Sequence, residues 1–243
     1  MSAPISAWAA TVRIARLTLR RMLRDRSTIL VAVLALLPVV FIALLNDRWV
    51  PDHAWARVVN VATIPLFAIL PPMALAPLIA EEASGQTYSY LWSRPIPRWS
   101  VLVGKLVVLM PFVAALFVVS MIASYAIIFD GSREIERLYR VTAALIAGTI
   151  ACGAVSAAIG VFLRKYAVAA SAAYLLAVDL PVGGLPFSVA NVSMTHHIRE
   201  IAGTGSETVS LPGHFLWLAG FTAFATALLL WRLRHIELSA SSD

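Results

Sequence analysis

The chain has 243 residues, of which 60% are hydrophobic and 13% are charged, and its mean hydropathy is +0.83. Soluble domains carry about 25% charged residues, so this composition excludes an ordinary soluble globule and indicates a protein covered mainly by lipid. The net charge of +6 does not indicate nucleic-acid binding, because the arginines flank apolar runs and do not form a separate basic tract. With most of the length in apolar runs and the loops between them short, there is no room for a separate soluble domain.

The N-terminal segment has the pattern of a basic amphipathic helix. Apolar residues recur at helical spacing, at Ile5, Trp8, Val12, Ala15, Leu19 and Met22. Arginines fall mostly on the other side, at positions 13, 16, 20 and 24. We therefore predict that residues 1–27 form an interfacial amphipathic helix at the level of the lipid headgroups, the alternative being a basic cytosolic tail.

Hydropathy predicts six transmembrane helices between residues 28 and 237, followed by a short cytoplasmic tail at 238–243. The expected fold is therefore an all-α integral membrane protein, in which the second span is interrupted by several prolines. The predicted spans are 28–46, 58–80, 104–129, 138–163, 166–187 and 212–233.

The positive charges predict the orientation. With six spans both termini lie on one side, and that side carries thirteen of the 19 lysines and arginines, leaving six on the other. Both termini are therefore predicted to be cytoplasmic. The expected location is the plasma membrane or the bacterial inner membrane.

The loop between the second and third spans, residues 81–99, is predicted to form a short amphipathic helix on the cytoplasmic side. Tyr88, Leu91 and Trp92 would form its apolar face, and prolines at 95 and 97 would end it. By this pattern alone the loop is either an ordinary interfacial segment or an element that transmits a movement between two spans.

Residues 81–105 resemble the permease subunits of type-2 ABC exporters. Those proteins have an acidic residue, a Gly-Thr-like pair, a short apolar helix, a Ser-Arg-Pro sequence, another arginine, and Gly-Lys entering the third span. Here the same order is formed by Glu81 and Glu82, Gly85 and Thr87 with Gln86 between them, Tyr88 and Leu91, Arg94, Arg98, and Gly104-Lys105. The resemblance implies that this loop is a coupling helix that docks on an ATPase subunit.

The resemblance also implies partners. No Gly-x-x-x-x-Gly-Lys-[Ser/Thr] phosphate loop occurs in the chain, since Trp99 stands where the first glycine before Gly104-Lys105 would be. We therefore expect no catalytic residue and no cofactor in this chain, with ATP and Mg²⁺ bound by a separate ABC-type ATPase subunit. A second permease copy, forming a homodimer, and membrane lipids are the other expected partners, and a lipophilic or amphipathic substrate is expected.

Asp179 is the carboxylate placed deepest in a predicted span. A charge at the centre of a span costs about 2.5–3.5 kcal/mol on insertion scales, so the residue is expected to face a cavity, a partner or the interface. Pro181, Gly183 and Gly184 would break the helix just after it. This group is interpreted either as part of an outer gate or substrate path, or as an ordinary carboxylate at the outer interface.

The loop at 188–211 contains His196, His197 and Glu200, and His214 follows it. Adjacent histidines point to different faces of a helix, so we predict no metal site here. The loop is expected to cap the fifth and sixth spans. In the fourth span, small residues at Gly148, Cys152 and Gly153 predict close helix packing.

The same residues also bear on three alternative functions: a secondary transporter, an intramembrane enzyme and a permease-like complex that does not export. A secondary transporter usually places ionisable groups near the membrane midplane, and only Asp179 comes close to that. An intramembrane enzyme is disfavoured, because neither Gly-x-Ser-x-Gly nor His-Glu-x-x-His occurs. A permease-like complex serving gliding or the assembly of a respiratory enzyme fits the sequence as well as export does.

Overall fold

The computed structural model describes residues 7–22, 24, 26–45, 51–76, 98–129, 135–185, 188–205 and 211–240. Within these ranges every regular element is a helix and no strand occurs, which confirms the all-α prediction for this part of the chain. The α-helices are α1 (Ala7–Met22), α2 (Arg26–Ala35), α3 (Leu37–Leu45), α4 (Pro51–Arg57), α5 (Ile64–Phe67), α6 (Leu70–Leu75), α7 (Arg98–Ile128), α8 (Ile135–Phe162), α9 (Ala167–Tyr174), α10 (Leu180–Val182), α11 (Met194–Ile201) and α12 (Leu211–Ala240). Wider π turns occur at Val58–Thr63 and Leu175–Asp179, and 3₁₀ turns at Arg164–Tyr166 and Ser188–Val192.

Six apolar helical segments coincide with the six predicted spans. Four are long and apolar enough to cross a membrane by themselves, namely His53–Leu75, Val103–Ile128, Ile135–Phe162 and Leu211–Arg232. Two are shorter, Thr28–Leu44 and Ala167–Val182. The structure therefore has the helices of a multi-pass membrane protein, while the count of six crossings stays a prediction.

The second span begins earlier than residue 58, where we predicted it. Its helix starts at Pro51, and the first turns are amphipathic: Trp55 is buried whereas His53 and Arg57 are exposed. Averaged hydropathy misses such a start, since the polar side of the helix cancels the apolar side.

Three prolines of the second span are accommodated at helix starts, and Pro77 lies outside the described residues. Pro65 lies in the first turn of α5, and Pro71 and Pro72 lie in the first turn of α6. A proline there costs little, because the first-turn N–H groups have no intrahelical partner. The predicted interruption takes the form of a π turn at Val58–Thr63 and a tight turn at residues 68–69, whose N–H groups donate to carbonyls three residues back.

Helix α8 is the centre of the bundle. It packs against α6, α7, α9, α11 and α12, and it is the most buried of the long helices. Its glycines permit close approach: a Cβ on Gly148 would lie 2.7 Å from Ile198 Cδ1, and one on Gly153 would lie 2.6 Å from Leu75 Cδ1. The small residues thus act as the sequence pattern predicted, by letting neighbouring helices touch α8.

Helix α1 presents three sides instead of the two that we predicted. One side packs against α7 at Gly104, where an added Cβ would lie 2.9 Å from the Thr11 carbonyl oxygen. Met22 belongs to this buried side. Trp8, Val12 and Leu19 form a second, exposed apolar side, and exposed arginines at 13, 16 and 20 form the third. The predicted single apolar face is therefore divided between protein and surroundings, and the interfacial position of α1 stays a prediction.

Gly160 provides a direct test of the packing around α8. A Cβ there would press on the backbone carbonyl of Ala76, which cannot rotate away as a side chain can. We expect Gly160→Ala to lower the free energy of unfolding in detergent by about 1–3 kcal/mol, measured by tryptophan fluorescence.

Gly220 in α12 is the matched control, because no heavy atom lies within 4 Å of the position of its Cβ. Gly220→Ala should leave stability unchanged or raise it slightly, since alanine favours a helix. Equal effects of the two substitutions would contradict the proposed contact between α8 and Ala76.

Candidate functional site

The predicted coupling loop cannot be located on the structure. Of its candidate residues, Glu81, Glu82, Gly85, Gln86, Thr87, Tyr88, Leu91 and Arg94 lie outside the described residues. Arg98 is the first residue of α7, and its backbone alone is described. The coupling role of these residues stays a prediction.

Asp179, the other predicted site residue, is buried and lies at the end of the π turn in the fifth apolar segment. Its carboxylate accepts two backbone hydrogen bonds, from the Met194 N–H at 2.8 Å and from the Thr195 N–H at 3.0 Å. Its backbone carbonyl accepts hydrogen bonds from the Ser193 hydroxyl at 2.8 Å and the Thr195 hydroxyl at 3.0 Å. Asp179 therefore fastens the start of α11 to the fifth segment.

The local sequence explains why α11 starts there. Ser193 has extended backbone dihedral angles and accepts a hydrogen bond from the His196 N–H at 3.3 Å, as an N-cap residue does. The first N–H groups of a helix have no intrahelical acceptor, and the partial positive charge at this end favours a carboxylate. Asp179, in the fifth segment, supplies both the hydrogen-bond acceptors and the negative charge at the start of α11.

Gly183 allows this close approach. A Cβ at Gly183 would collide with the hydroxyls of Ser193 and Thr195, so a larger residue would push the start of α11 away from Asp179. Pro181 and Gly184, the other two predicted gate residues, are exposed. The structure thus brings Asp179 and Gly183 together at α11, and a gating role for the four residues stays a prediction.

The other end of α11 reaches the second span. The Gly203 N–H donates to the Glu200 carbonyl and the Thr204 N–H to the Arg199 carbonyl, with Gly203 at φ +74°, which is a glycine-terminated helix end. The Thr204 hydroxyl then donates to the Asn60 side-chain oxygen at 3.3 Å, and Asn60 lies in the π turn Val58–Thr63. Helix α11 therefore connects the two π turns of the bundle.

Arg199 adds a third connection at this site. Its Nη1 atom donates to the Gly183 carbonyl oxygen at 3.2 Å. Both the start of α11 and a residue near its end therefore contact the segment from Asp179 to Gly183. Burial lowers the pKa of Arg199, and the negative charge of Asp179 acts in the opposite direction. The charge of Asp179 therefore offsets part of the cost of placing the guanidinium cation in this partly buried position.

Three histidines that lie up to 18 positions apart in sequence are brought together beside α11. His196, His197 and His214 are all buried, and one ring nitrogen of each lies within 4.8 Å of the others. Our sequence reasoning named all three histidines but did not predict this cluster, because it expected the adjacent His196 and His197 to point to different faces of a helix. The signal available was His214 itself, which lies in the first turn of the last apolar helix, shortly after the loop that contains the other two histidines.

The described geometry defines the class of the protein. Several long apolar helices pack around a small-residue helix, with a buried polar cap helix joined to two interrupted segments, which is the organisation of a multi-pass helical membrane protein. A family model described as an ABC-2 family transporter protein matches residues 22–178. The match covers more than half of the chain, so the chain belongs to the ABC-2 transporter family and is a permease subunit of an ABC-type transporter. A comparison with curated proteins finds no match.

Asp179→Asn tests the connection between the fifth segment and α11. The amide has one acceptor oxygen where the carboxylate has two, so either the Met194 or the Thr195 N–H loses its partner inside the protein. We expect a loss of about 1–3 kcal/mol in the free energy of unfolding. We also expect faster amide hydrogen exchange at the start of α11, measured by mass spectrometry on purified protein.

Glu136→Gln is the control, because Glu136 is an exposed carboxylate in a surface pair with Arg140. It should change neither stability nor exchange at α11. Unchanged exchange at Met194 and Thr195 in Asp179→Asn would mean that the carboxylate does not hold this helix.

Proposed function

We propose that this chain is the membrane half of an ATP-driven exporter, working with a separate ABC-type ATPase subunit and a second copy of itself. The match to the ABC-2 family over residues 22–178 carries the proposal, because membrane subunits of that family work with an ABC ATPase partner. The absence of a phosphate-loop sequence supports placing ATP hydrolysis in the partner.

In this proposal the loop at 81–99 docks on the ATPase and moves with it. Helix α7 begins at Arg98, so the last two residues of the loop are its first residues, and α1 is packed onto α7 at Gly104. A displacement of the loop would therefore be passed to α1 and α7 together, because the contact at Gly104 leaves no space for α1 to slip.

The contacts of α7 with the second span supply a route for that movement. Phe117 in α7 stacks on Phe67 with ring centres 4.5 Å apart, and Met121 Sδ lies 3.8 Å from the Thr63 hydroxyl oxygen, which donates its hydrogen to the Val58 carbonyl at 3.0 Å. Thr63 is the last residue of the first π turn. A shift of α7 would thus reach the second span at the place where its helix is interrupted.

The two π turns are the positions at which we propose that the spans bend during alternating access. A π turn widens the helix and weakens the regular hydrogen-bond pattern, and such turns are frequent at functional sites. With both termini cytoplasmic, both turns lie toward the outer side, where α11 joins them. We propose that α11 and Asp179 form the outer gate, and that a lipophilic or amphipathic substrate passes between two copies along the second and fifth spans.

The first test concerns the partner and the loop together. We expect a stoichiometric ABC-type ATPase to copurify with the tagged native chain from its own membrane. Replacing residues 85–90 by a Gly/Ser linker of the same length should abolish this copurification. The linker removes Gln86, Thr87 and Tyr88 and interrupts the short helix that is predicted to present Leu91 and Trp92 on the same face.

The same replacement at residues 130–134, on the predicted outer side, is the control and should retain the ATPase. A native chain that purifies without an ATPase would contradict the proposal. Retention of the ATPase by the 85–90 variant would contradict the docking role of the loop alone.

A second test concerns orientation. In a Cys152→Ala background, cysteines introduced by Ser132→Cys and Ser241→Cys should differ in their labelling by a membrane-impermeant maleimide. We expect position 132 to react in intact cells and position 241 to react only after permeabilisation, because the positive charges keep both termini inside. The reverse pattern would contradict the proposed orientation.

A further inference from the structure

The three-histidine cluster beside α11 has the composition and spacing of a metal site. We propose that His196, His197 and His214 bind one first-row divalent cation of the kind that prefers imidazole ligands, such as Zn²⁺. Imidazole nitrogen is a common ligand for zinc, copper and nickel, whereas magnesium and calcium prefer oxygen. The inference rests on these residues and is independent of the exporter proposal.

The distances between the nitrogens are close to those that a shared ion requires. Zn–N bonds of about 2.0–2.1 Å in tetrahedral geometry place two ligand nitrogens about 3.3 Å apart. His197 Nδ1 lies 2.8 Å from His214 Nδ1, and the contributing nitrogens of the whole cluster lie within 4.8 Å of one another. Shifts of about 0.5–1.5 Å in the rings would bring all three nitrogens to one tetrahedral ion.

The orientation of His197 is fixed as that of a metal ligand usually is. Its Nε2 lies 3.0 Å from the carbonyl oxygen of Asn191, which can only accept, so Nε2 carries the hydrogen and Nδ1 presents its lone pair to the cluster. Metal-binding histidines commonly donate their second ring N–H to a backbone carbonyl in this way. The Trp217 ring is stacked on the His197 ring at an angle of 12°, which restricts its rotation further.

His214 is suited to exchange a hydrogen bond for a metal bond. Without a metal its Nδ1–H donates to His197 Nδ1, and its Nε2 is buried with no hydrogen-bond partner within the described part of the chain. When the ion binds Nδ1, the hydrogen moves to Nε2 and no net proton is lost. Glu200, four residues after His196 on α11, is also buried, but its carboxylate lies beside Gly205 and is not among the ligand atoms of the cluster.

The bound ion would link α11 to α12. His196 and His197 belong to α11, whereas His214 lies in the first turn of α12. With Asp179, Asn60 and the Arg199–Gly183 hydrogen bond, the ion would be a fourth anchor for α11 and would act as a structural clamp. Three protein ligands leave one position of a tetrahedral ion for water or an anion.

The test uses the full-length chain in detergent with a tag that contains no histidine, stripped of metal by a chelator. Titration with Zn²⁺ by calorimetry should show one site per chain. His196→Gln, His197→Gln and His214→Gln should each weaken binding at least about tenfold. His214→Cys should retain more affinity than His214→Gln, because a thiolate also binds zinc.

His53→Gln is the matched control, because His53 is exposed and lies in α4, outside the cluster. It should bind Zn²⁺ as the native chain does. Undiminished binding in His197→Gln, or no binding by the native chain at micromolar Zn²⁺, would overturn the proposal and leave the rings as a buried hydrogen-bonded group.

A second measurement needs no variant and covers the case in which substitutions prevent folding. The electron paramagnetic resonance spectrum of the native chain with one equivalent of Cu²⁺ should show hyperfine structure from imidazole nitrogens. A spectrum with oxygen ligands alone would overturn the proposal.

Discussion

The end of the bundle that contains α11 depends on one requirement: a helix that starts in the protein interior must have acceptors for its first backbone N–H groups. Seven of the eight residues of α11 are buried, so water cannot supply them. Asp179 supplies two acceptors, at the helix end where a negative charge is most favoured. Burying this carboxylate costs free energy, but the two hydrogen bonds offset that cost because the buried N–H groups would otherwise be unpaired.

The rest of the bundle has two parts: the regular helix α8, and the second and fifth segments, whose helices are interrupted and which α11 connects. Helix α8 is regular over 28 residues and meets its neighbours through glycines that allow almost no displacement. The second and fifth segments contain the π turns and the prolines, and α11 holds them to each other through Asn60 and Asp179. Because lipid gives helices little hydrophobic reason to associate, such specific contacts determine which helices move as one body.

The sequence predicted the helical segments well, because spans depend on local hydropathy and α8 on a local small-residue pattern. It singled out Asp179 for a local reason, the cost of a charge in an apolar run. Its partners could not be predicted, since Met194 lies 15 residues further on and is reached only through the turn at Gly183. The histidine cluster was missed for the same reason: His214 meets His197 only because α11 folds back against α12.

On the proposed coupling, α7 is suited to carry a movement from one side of the membrane to the other. Its 31 residues extend about 46 Å at 1.5 Å per residue, more than the hydrocarbon thickness of about 30 Å. Pro111 lies between the part that holds α1 at Gly104 and the part that contacts the second span at Phe117 and Met121. A proline inside a helix removes one hydrogen bond and favours bending there. In this proposal the part of α7 next to the loop would tilt with it while the part beyond Pro111 keeps its contacts, and the movement would reach the first π turn.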